Sequence, residues 1–148
     1  MKKILTISSF LALIAGILMI LGGTWGIIFT YTNVARENIV TPSDASIPNT
    51  PVRGPFTLKS QADVIRDHVL KTTDGKTYSE MPQKIEKIEN GQTVMVSNDA
   101  RAIWITATTL TTALHFAIIT YVFSGLIIFL GFISIWTSIT FRALRRVL

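Results

Sequence analysis

The sequence predicts a mainly α integral membrane protein, with two antiparallel transmembrane helices and a small, mostly helical extracytoplasmic domain between them. Two uncharged runs predict this fold class. Residues 110–141 contain no Asp, Glu, Lys or Arg, and residues 4–31 contain none either. A helix crosses the hydrocarbon core of a bilayer with roughly 20 apolar residues. Both runs are longer than that, so each is predicted to span the membrane.

The distribution of charge is the third observation, and it predicts the orientation. The net charge is +5, yet all nine acidic residues lie between Glu37 and Asp99, together with nine basic residues between Arg36 and Arg101. The excess basic residues flank the two apolar runs: Lys2, Lys3, Arg142, Arg145 and Arg146. Basic residues next to a span stay cytoplasmic. We therefore expect both termini in the cytoplasm and residues 32–109 outside the cytoplasmic (inner) membrane.

Composition also excludes several classes of function. The chain has no cysteine, which excludes disulfides, thiol catalysis, lipid attachment through Cys and thiolate metal sites. Because the excess charge sits at the ends of the spans rather than in one basic patch, no nucleic-acid partner is expected. No cofactor is predicted.

The first predicted domain, residues 1–31, contains the cytoplasmic flank and the first transmembrane helix. A cleaved signal peptide is the alternative, but its apolar region measures roughly 7 to 15 residues and ends at a small-x-small site. This run is much longer, and no Ala-x-Ala follows it. An uncleaved anchor is favoured, with Trp25 and Tyr31 at the outer headgroup level.

One stripe of the first helix consists mainly of small residues at spacings of four and three. Its members are Ser8, Ala12, Ala15, Met19, Gly22 and Gly26. Small residues let two helix backbones approach closely in lipid, where apolar burial does not drive association. The stripe predicts a helix contact face, and the alternative is that Gly and Ala are simply common in membrane helices.

The predicted extracytoplasmic segment, residues 32–109, begins with a linker. Residues 41–55 hold four of the five prolines, which argues against a regular element there. Ser60 and Asp63 then have the spacing of a capping box that opens an amphipathic helix at about 60–73.

The second half of this segment is predicted to alternate short elements. Gln83–Glu89 are expected to form two helical turns, and Asn90-Gly91 a turn before a short strand at Gln92–Ser97. Asn98-Asp99 look like the N-cap and first residue of a long helix. Its start, at about 98–109, leads into the last domain, residues 110–148, which contains the second span and a basic cytoplasmic tail.

Several short motifs occur in order along the chain. They are Thr24-Trp25, Glu37-Asn38-Ile39, Gly54-Pro55, Gln61-Ala62-Asp63-x-Ile65, His68, Gly75-Lys76-Thr77-Tyr78 and the lead-in from Trp104 to Leu110. In these motifs the chain resembles a family of small actinobacterial two-span membrane proteins that often carry the automatic label of aromatic ring-opening dioxygenase. The resemblance implies the two-span fold. The residues do not support the label. Ring-cleaving iron sites are typically built from His and carboxylate ligands, and the two histidines of this chain are predicted to lie apart, His68 in the extracytoplasmic segment and His115 at the edge of the second span.

The polar residues nearest to a functional cluster are His68, Asp63, Asp67 and Tyr78. Their spacing allows a carboxylate near an imidazole, which suggests a recognition site or a pH-sensitive contact. The alternative is an exposed polar histidine with no special role. No nucleophile, phosphate-binding loop or second metal ligand accompanies His68, so no catalytic or metal residue is assigned.

In the second span, His115, Thr120, Tyr121 and Ser124 place polar groups along the outer half. Ion and proton pathways normally use ionisable groups within the span, so helix contact through Thr120 and Ser124 is the preferred interpretation. The leading functional hypothesis is a noncatalytic accessory or scaffold subunit, whose partners are membrane lipid and a larger membrane complex or a homo-oligomer. An envelope-facing binding or sensing module is the alternative, and an enzyme ranks third.

Overall fold

The computed structural model describes residues 2–89 and 91–147 and is mainly helical. Its elements are α1 (Lys2–Arg36), α2 (Pro55–Thr72), a 3-10 turn (Tyr78–Glu80), β1 (Lys84–Glu89), β2 (Gln92–Ser97) and α3 (Asp99–Val147). The chain divides into two compact units. Unit 1 contains α1 and the part of α3 from Ala117 onward, and unit 2 contains residues 38–116.

Both helices of unit 1 are long and apolar enough to cross a membrane by length and composition. Their most apolar segments have mean hydropathies of 2.6 in α1 and 2.4 in α3, and only 11% of the residues in each segment are buried. Most of the Ile, Leu and Phe side chains therefore point outward. The prediction of two long apolar helices is confirmed.

Unit 2 opens with a loop that is more ordered than the predicted linker. Val40 and Pro51 form an isolated antiparallel bridge. Thr41 is buried, and its backbone N–H donates to the carbonyl of Thr50 at 3.0 Å. The Thr41 hydroxyl donates to the Ile47 carbonyl and accepts from the Thr50 backbone N–H. Prolines prevented a helix here, as expected, but one buried threonine closes the loop on itself.

Helix α2 begins at Pro55, five residues before the predicted start. The prediction of a capping box at Ser60 was therefore wrong. The Thr57 hydroxyl accepts hydrogen bonds from the backbone N–H groups of Arg53 and Gly54, and Pro55 suits a first turn that needs no N–H. Ser60 lies inside the helix and is buried, where its hydroxyl accepts from the Ile47 backbone N–H at 2.9 Å. Its role is to hold the preceding loop.

The prediction of helix at Gln83–Glu89 was also wrong, because this segment forms β1. It pairs antiparallel with β2, in a register that sets Ile85 opposite Val96. The strand predicted at Gln92–Ser97 is confirmed as β2. Gly91 has a φ of +80° in the connecting turn, a conformation that favours glycine, while Asn90 lies outside the described residues.

The start of α3 agrees with its predicted cap, since the Asn98 side-chain oxygen accepts from the Ala100 N–H at 3.1 Å. Trp104 is buried one turn later against Val69, Met81 and Ala107. Burial of these apolar side chains joins α2 and the start of α3 into the core of unit 2.

Candidate functional site

The predicted helix-packing site lies in unit 1, and the structure builds it from a seven-residue repeat. The buried residues of α1 are Ser9, Gly16, Gly23 and Thr30. Buried residues facing them on α3 are Ser124, Gly131 and Ser138. A repeat of seven keeps one stripe facing a partner helix when both supercoil left-handedly.

Glycine makes this contact close. A Cβ atom added at Gly16 would lie 2.7 Å from the carbonyl oxygen of Gly131, and one at Gly131 would lie 2.9 Å from the carbonyl oxygen of Gly16. A Cβ at Gly23 would lie 2.7 Å from the Ser124 carbonyl oxygen. Such distances leave no space for any larger residue at Gly16, Gly23 or Gly131 without a backbone shift.

Hydroxyl groups add hydrogen bonds at one end of the contact. Ser138 Oγ donates to the Ser9 carbonyl at 2.7 Å, and Ser9 Oγ donates to the Ser138 carbonyl at 3.0 Å. Ser134 Oγ donates to the Ala12 carbonyl at 2.8 Å.

The predicted packing residues divide between this contact and the outer surface. Ser124 is buried against Gly23 and Gly26, and Ala12 contributes its carbonyl to the contact. Ser8 is half-buried and Ala15 is exposed. Gly22 is exposed, and nothing lies within 4 Å of a Cβ built on it.

The buried residues Ser9, Gly16 and Gly23 therefore each follow a predicted packing residue by one position. Gly22 takes no part in packing against α3. Whether Ser8, Ala15 and Gly22 meet another protein stays a prediction. Thr120 is half-buried on α3.

The candidate recognition residues of unit 2 do not meet in one cluster. His68 Nε2 lies 2.7 Å from Asp44 Oδ2, a distance at which the ring N–H donates to the carboxylate. This bond is the largest cause that lowers the pKa of the Asp44 carboxyl below its usual value. Both side chains are about half exposed, which limits the energy of the pair. Asp44 was missed because it precedes His68 by 24 residues and no local pattern connects them.

Asp63 and Tyr78 have other partners. Asp63 pairs with Lys59 at 2.6 Å, one helical turn away. The Arg101 guanidinium lies 3.9 Å from the centre of the Tyr78 ring. The predicted grouping of His68, Asp63 and Tyr78 therefore separates into three unrelated surface contacts.

Unit 2 has a small groove between α2 and the start of α3. Its volume is about 130 Å³, and its polar lining includes Asp63, Arg66, Thr108 and His115, with Trp104 as an apolar wall. Ligand-binding clefts for organic molecules measure roughly 300–1,000 Å³. The groove suits a few water molecules or a very small polar ligand.

Residues 2–89 and 91–147 include no group of three or more His, Asp or Glu side chains arranged to hold a metal ion. Comparison of the chain with protein-family models, with curated proteins and with solved structures found no match.

Proposed function

We propose that this chain is a noncatalytic integral membrane protein of the cytoplasmic membrane, acting as an accessory or scaffold subunit of a larger membrane assembly. In this proposal α1 and the apolar part of α3 cross the bilayer as an antiparallel pair. Both termini are cytoplasmic, and the segment between the spans is outside. The single observation that carries the proposal is the apolar outer surface of the two helices.

That surface is unsuited to water. Phe10, Leu18, Phe123 and Phe129 each expose more than half of their side-chain surface, and soluble monomers rarely expose large contiguous apolar patches. A soluble core helix of comparable hydropathy would be mostly buried, whereas the apolar segments here are 11% buried. A bilayer, or a bilayer together with partner helices, accounts for this exposure.

The hairpin of unit 2 supports the subunit role. All six residues of β1 are exposed, and Ile88 exposes 76% of its surface. An isolated two-stranded hairpin is marginally stable in water, and its open edges can pair with a strand from another chain. Within the described residues the sheet has two strands only. A partner that covers the hairpin would stabilise it.

Orientation can be tested with single cysteines, because the chain has none of its own. Ser79 and Val147 are exposed, so both positions suit a thiol label. In intact cells, a membrane-impermeant maleimide should label Ser79→Cys and not Val147→Cys until the membrane is permeabilised. The opposite pattern would overturn the proposed topology.

Partnership can be tested by purification in a mild detergent. The subunit role predicts a larger protein recovered in fixed stoichiometry, and Ile88→Lys should reduce its recovery. Phe56→Lys is a suitable control, because Phe56 is an exposed apolar residue of unit 2 outside the hairpin. If Ile88→Lys and Phe56→Lys recover the partner equally well, the hairpin is not the surface that contacts the partner.

A binding or sensing module is the second candidate, favoured by the groove beside Trp104. It ranks second because the groove is smaller than most ligand sites. A free oligomer that purifies without a partner, and whose melting temperature rises with a small polar ligand, would reverse this ranking.

A further inference from the structure

The basic end of unit 1 forms a pocket rather than a scattered flank. Its volume is about 270 Å³. It is lined by Arg142, Arg145 and Arg146 of α3 and by Leu5, Thr6, Ser9 and Phe10 of α1. Arg145 and Arg146 follow Arg142 by three and four residues, which places both beside it on the helix surface. Like charges at these spacings repel one another, so a bound anion would stabilise the arrangement.

Neutral hydroxyls, not carboxylates, hold two of the guanidinium groups. Arg142 Nε donates to Ser9 Oγ at 3.0 Å, and Arg145 donates to Thr6 Oγ1 at 3.2 Å. A guanidinium has five N–H donors, so each group keeps donors for a ligand after this bond. The bonds orient both groups without neutralising them.

No acid of the described part of unit 1 is near enough in sequence to balance these charges. The first acidic residue of the chain is Glu37, at the opposite end of α1, and the last is Asp99, in unit 2. Lys2 and Lys3 add two more positive charges to this end. Oriented guanidinium groups with spare donors match the oxygens of a phosphate group.

The remaining walls of the pocket are apolar. Leu5 and Phe10 line it beside the arginines, and Phe10 exposes 59% of its surface. A free phosphate ion would gain nothing from these two side chains. An amphiphile that places its phosphate among the arginines and its glycerol and acyl chains along Leu5 and Phe10 would contact both walls.

We propose that this pocket binds the phosphate of an anionic phospholipid of the inner leaflet. The inference rests on the proposed membrane location. It adds one ordered lipid per chain, held by Arg142, Arg145 and Arg146, to the general attraction between basic flanks and anionic membranes. Thr6 and Ser9 act as positioning residues that aim two of the guanidinium groups.

The experiment is a titration of the full-length protein in a neutral detergent with phosphatidylglycerol, followed by native mass spectrometry. Wild-type protein should retain one phosphatidylglycerol per chain. Arg142→Gln with Arg145→Gln should weaken retention tenfold or more. Lys2→Gln with Lys3→Gln removes the same charge from the same end but leaves the pocket lining intact, so it should change retention by less than threefold. Equal losses in both double variants would overturn the site in favour of diffuse attraction.

A second variant and two further ligands complete the test. Thr6→Val keeps every charge and should lower retention about threefold by freeing Arg145. Phosphatidylcholine should bind much more weakly than phosphatidylglycerol. Millimolar inorganic phosphate should neither raise the melting temperature nor displace the lipid, and displacement would identify a phosphate site instead of a lipid site. Extraction of the protein from cell membranes by alkaline carbonate would refute the membrane location itself, independently of these titrations.

Discussion

The helix contact of unit 1 and the core of unit 2 are packed with residues of opposite size. In unit 1 the buried stripe consists of Gly, Ser and Thr, and the large side chains face outward. In unit 2 the fully buried positions include Leu58 and Val52, and Trp104 joins a cluster around Val69. Water drives the second arrangement, because burying large apolar side chains is favourable.

In the proposed membrane location the same drive is missing, because the two helices are already surrounded by lipid. Close backbone approach and hydroxyl-to-carbonyl bonds then provide the attraction, which explains Gly16 against Gly131 and Ser9 against Ser138. One short chain therefore uses two packing rules. Equivalent substitutions should have different consequences in the two units.

The largest effect is expected from Trp104→Ala in unit 2. Removal of a buried tryptophan costs about 3–5 kcal/mol, and here it also leaves the Lys76 carbonyl and the Thr73 hydroxyl without the indole N–H. Amide hydrogen exchange of α2 should measure the loss. Trp25→Ala is the control, because Trp25 is 67% exposed in α1, and we expect its effect within about 0.5 kcal/mol.

The second largest effect is expected at Gly16 of unit 1, where a side chain is added instead of removed. Gly16→Leu should disrupt the helix contact by about 1–3 kcal/mol or more, since a Cβ atom there would meet backbone, the Gly131 carbonyl oxygen at 2.7 Å, as well as Ile135 Cγ1 at 2.6 Å. A disulfide between cysteines at Ser9 and Ser138, whose Oγ atoms lie 3.1 Å apart, would report on the contact. Its yield should fall sharply with Gly16→Leu.

Gly22→Leu is the matched control on the same helix, because Gly22 faces open space. The disulfide yield should be unchanged by it. Loss of a co-purifying partner with Gly22→Leu, while the disulfide still forms, would assign the stripe of Ser8, Ala15 and Gly22 to an external contact. A reduced yield with Gly22→Leu would contradict the packing described here.

The third test applies one substitution, Ser to Ala, to both units. Ser60→Ala removes the acceptor of the half-buried Ile47 N–H and should destabilise unit 2 by about 1–3 kcal/mol. Ser138→Ala should cost about 0.6 kcal/mol, the average for a hydrogen bond between membrane helices. Amide exchange of residues 41–50 and of α1 measures each loss. Equal losses would show that hydroxyls contribute alike in both settings.

The smallest effect is a pH dependence confined to unit 2. Because the folded-state pKa of Asp44 is lowered by His68, the Asp44 carboxylate stabilises its loop above the ordinary Asp pKa, and the contribution disappears as the pH falls through the lowered value. The protection factors of amides in residues 41–50, which correct exchange rates for their intrinsic pH dependence, should therefore fall below about pH 4. Asp44→Asn should remove this dependence, and an unaltered pH profile would contradict the assignment.

The errors of sequence interpretation have identifiable physical reasons. The apolar residues of Lys84–Glu89 are Ile85 and Ile88, three positions apart, a spacing that favours a helix. Pairing of this segment with β2 decided strand over helix. Ser60 has the residue type of a helix cap, yet Pro55 and Thr57 already start the helix upstream. In each case the local pattern was compatible with two structures, and a contact with another segment selected one.

By itself, the sequence determined the two long apolar helices, the strand at Gln92–Ser97 and the cap at Asn98, because length, hydropathy and turn chemistry act locally. It could not choose between the stripe of Ser8, Ala15 and Gly22 and the adjacent stripe of Ser9, Gly16 and Gly23. Both consist of small residues with the same period of seven. Only the tertiary structure decided which stripe is buried. Ser124, Gly131 and Ser138 of α3 recur at the same period, and only the stripe of Ser9, Gly16 and Gly23 faces them.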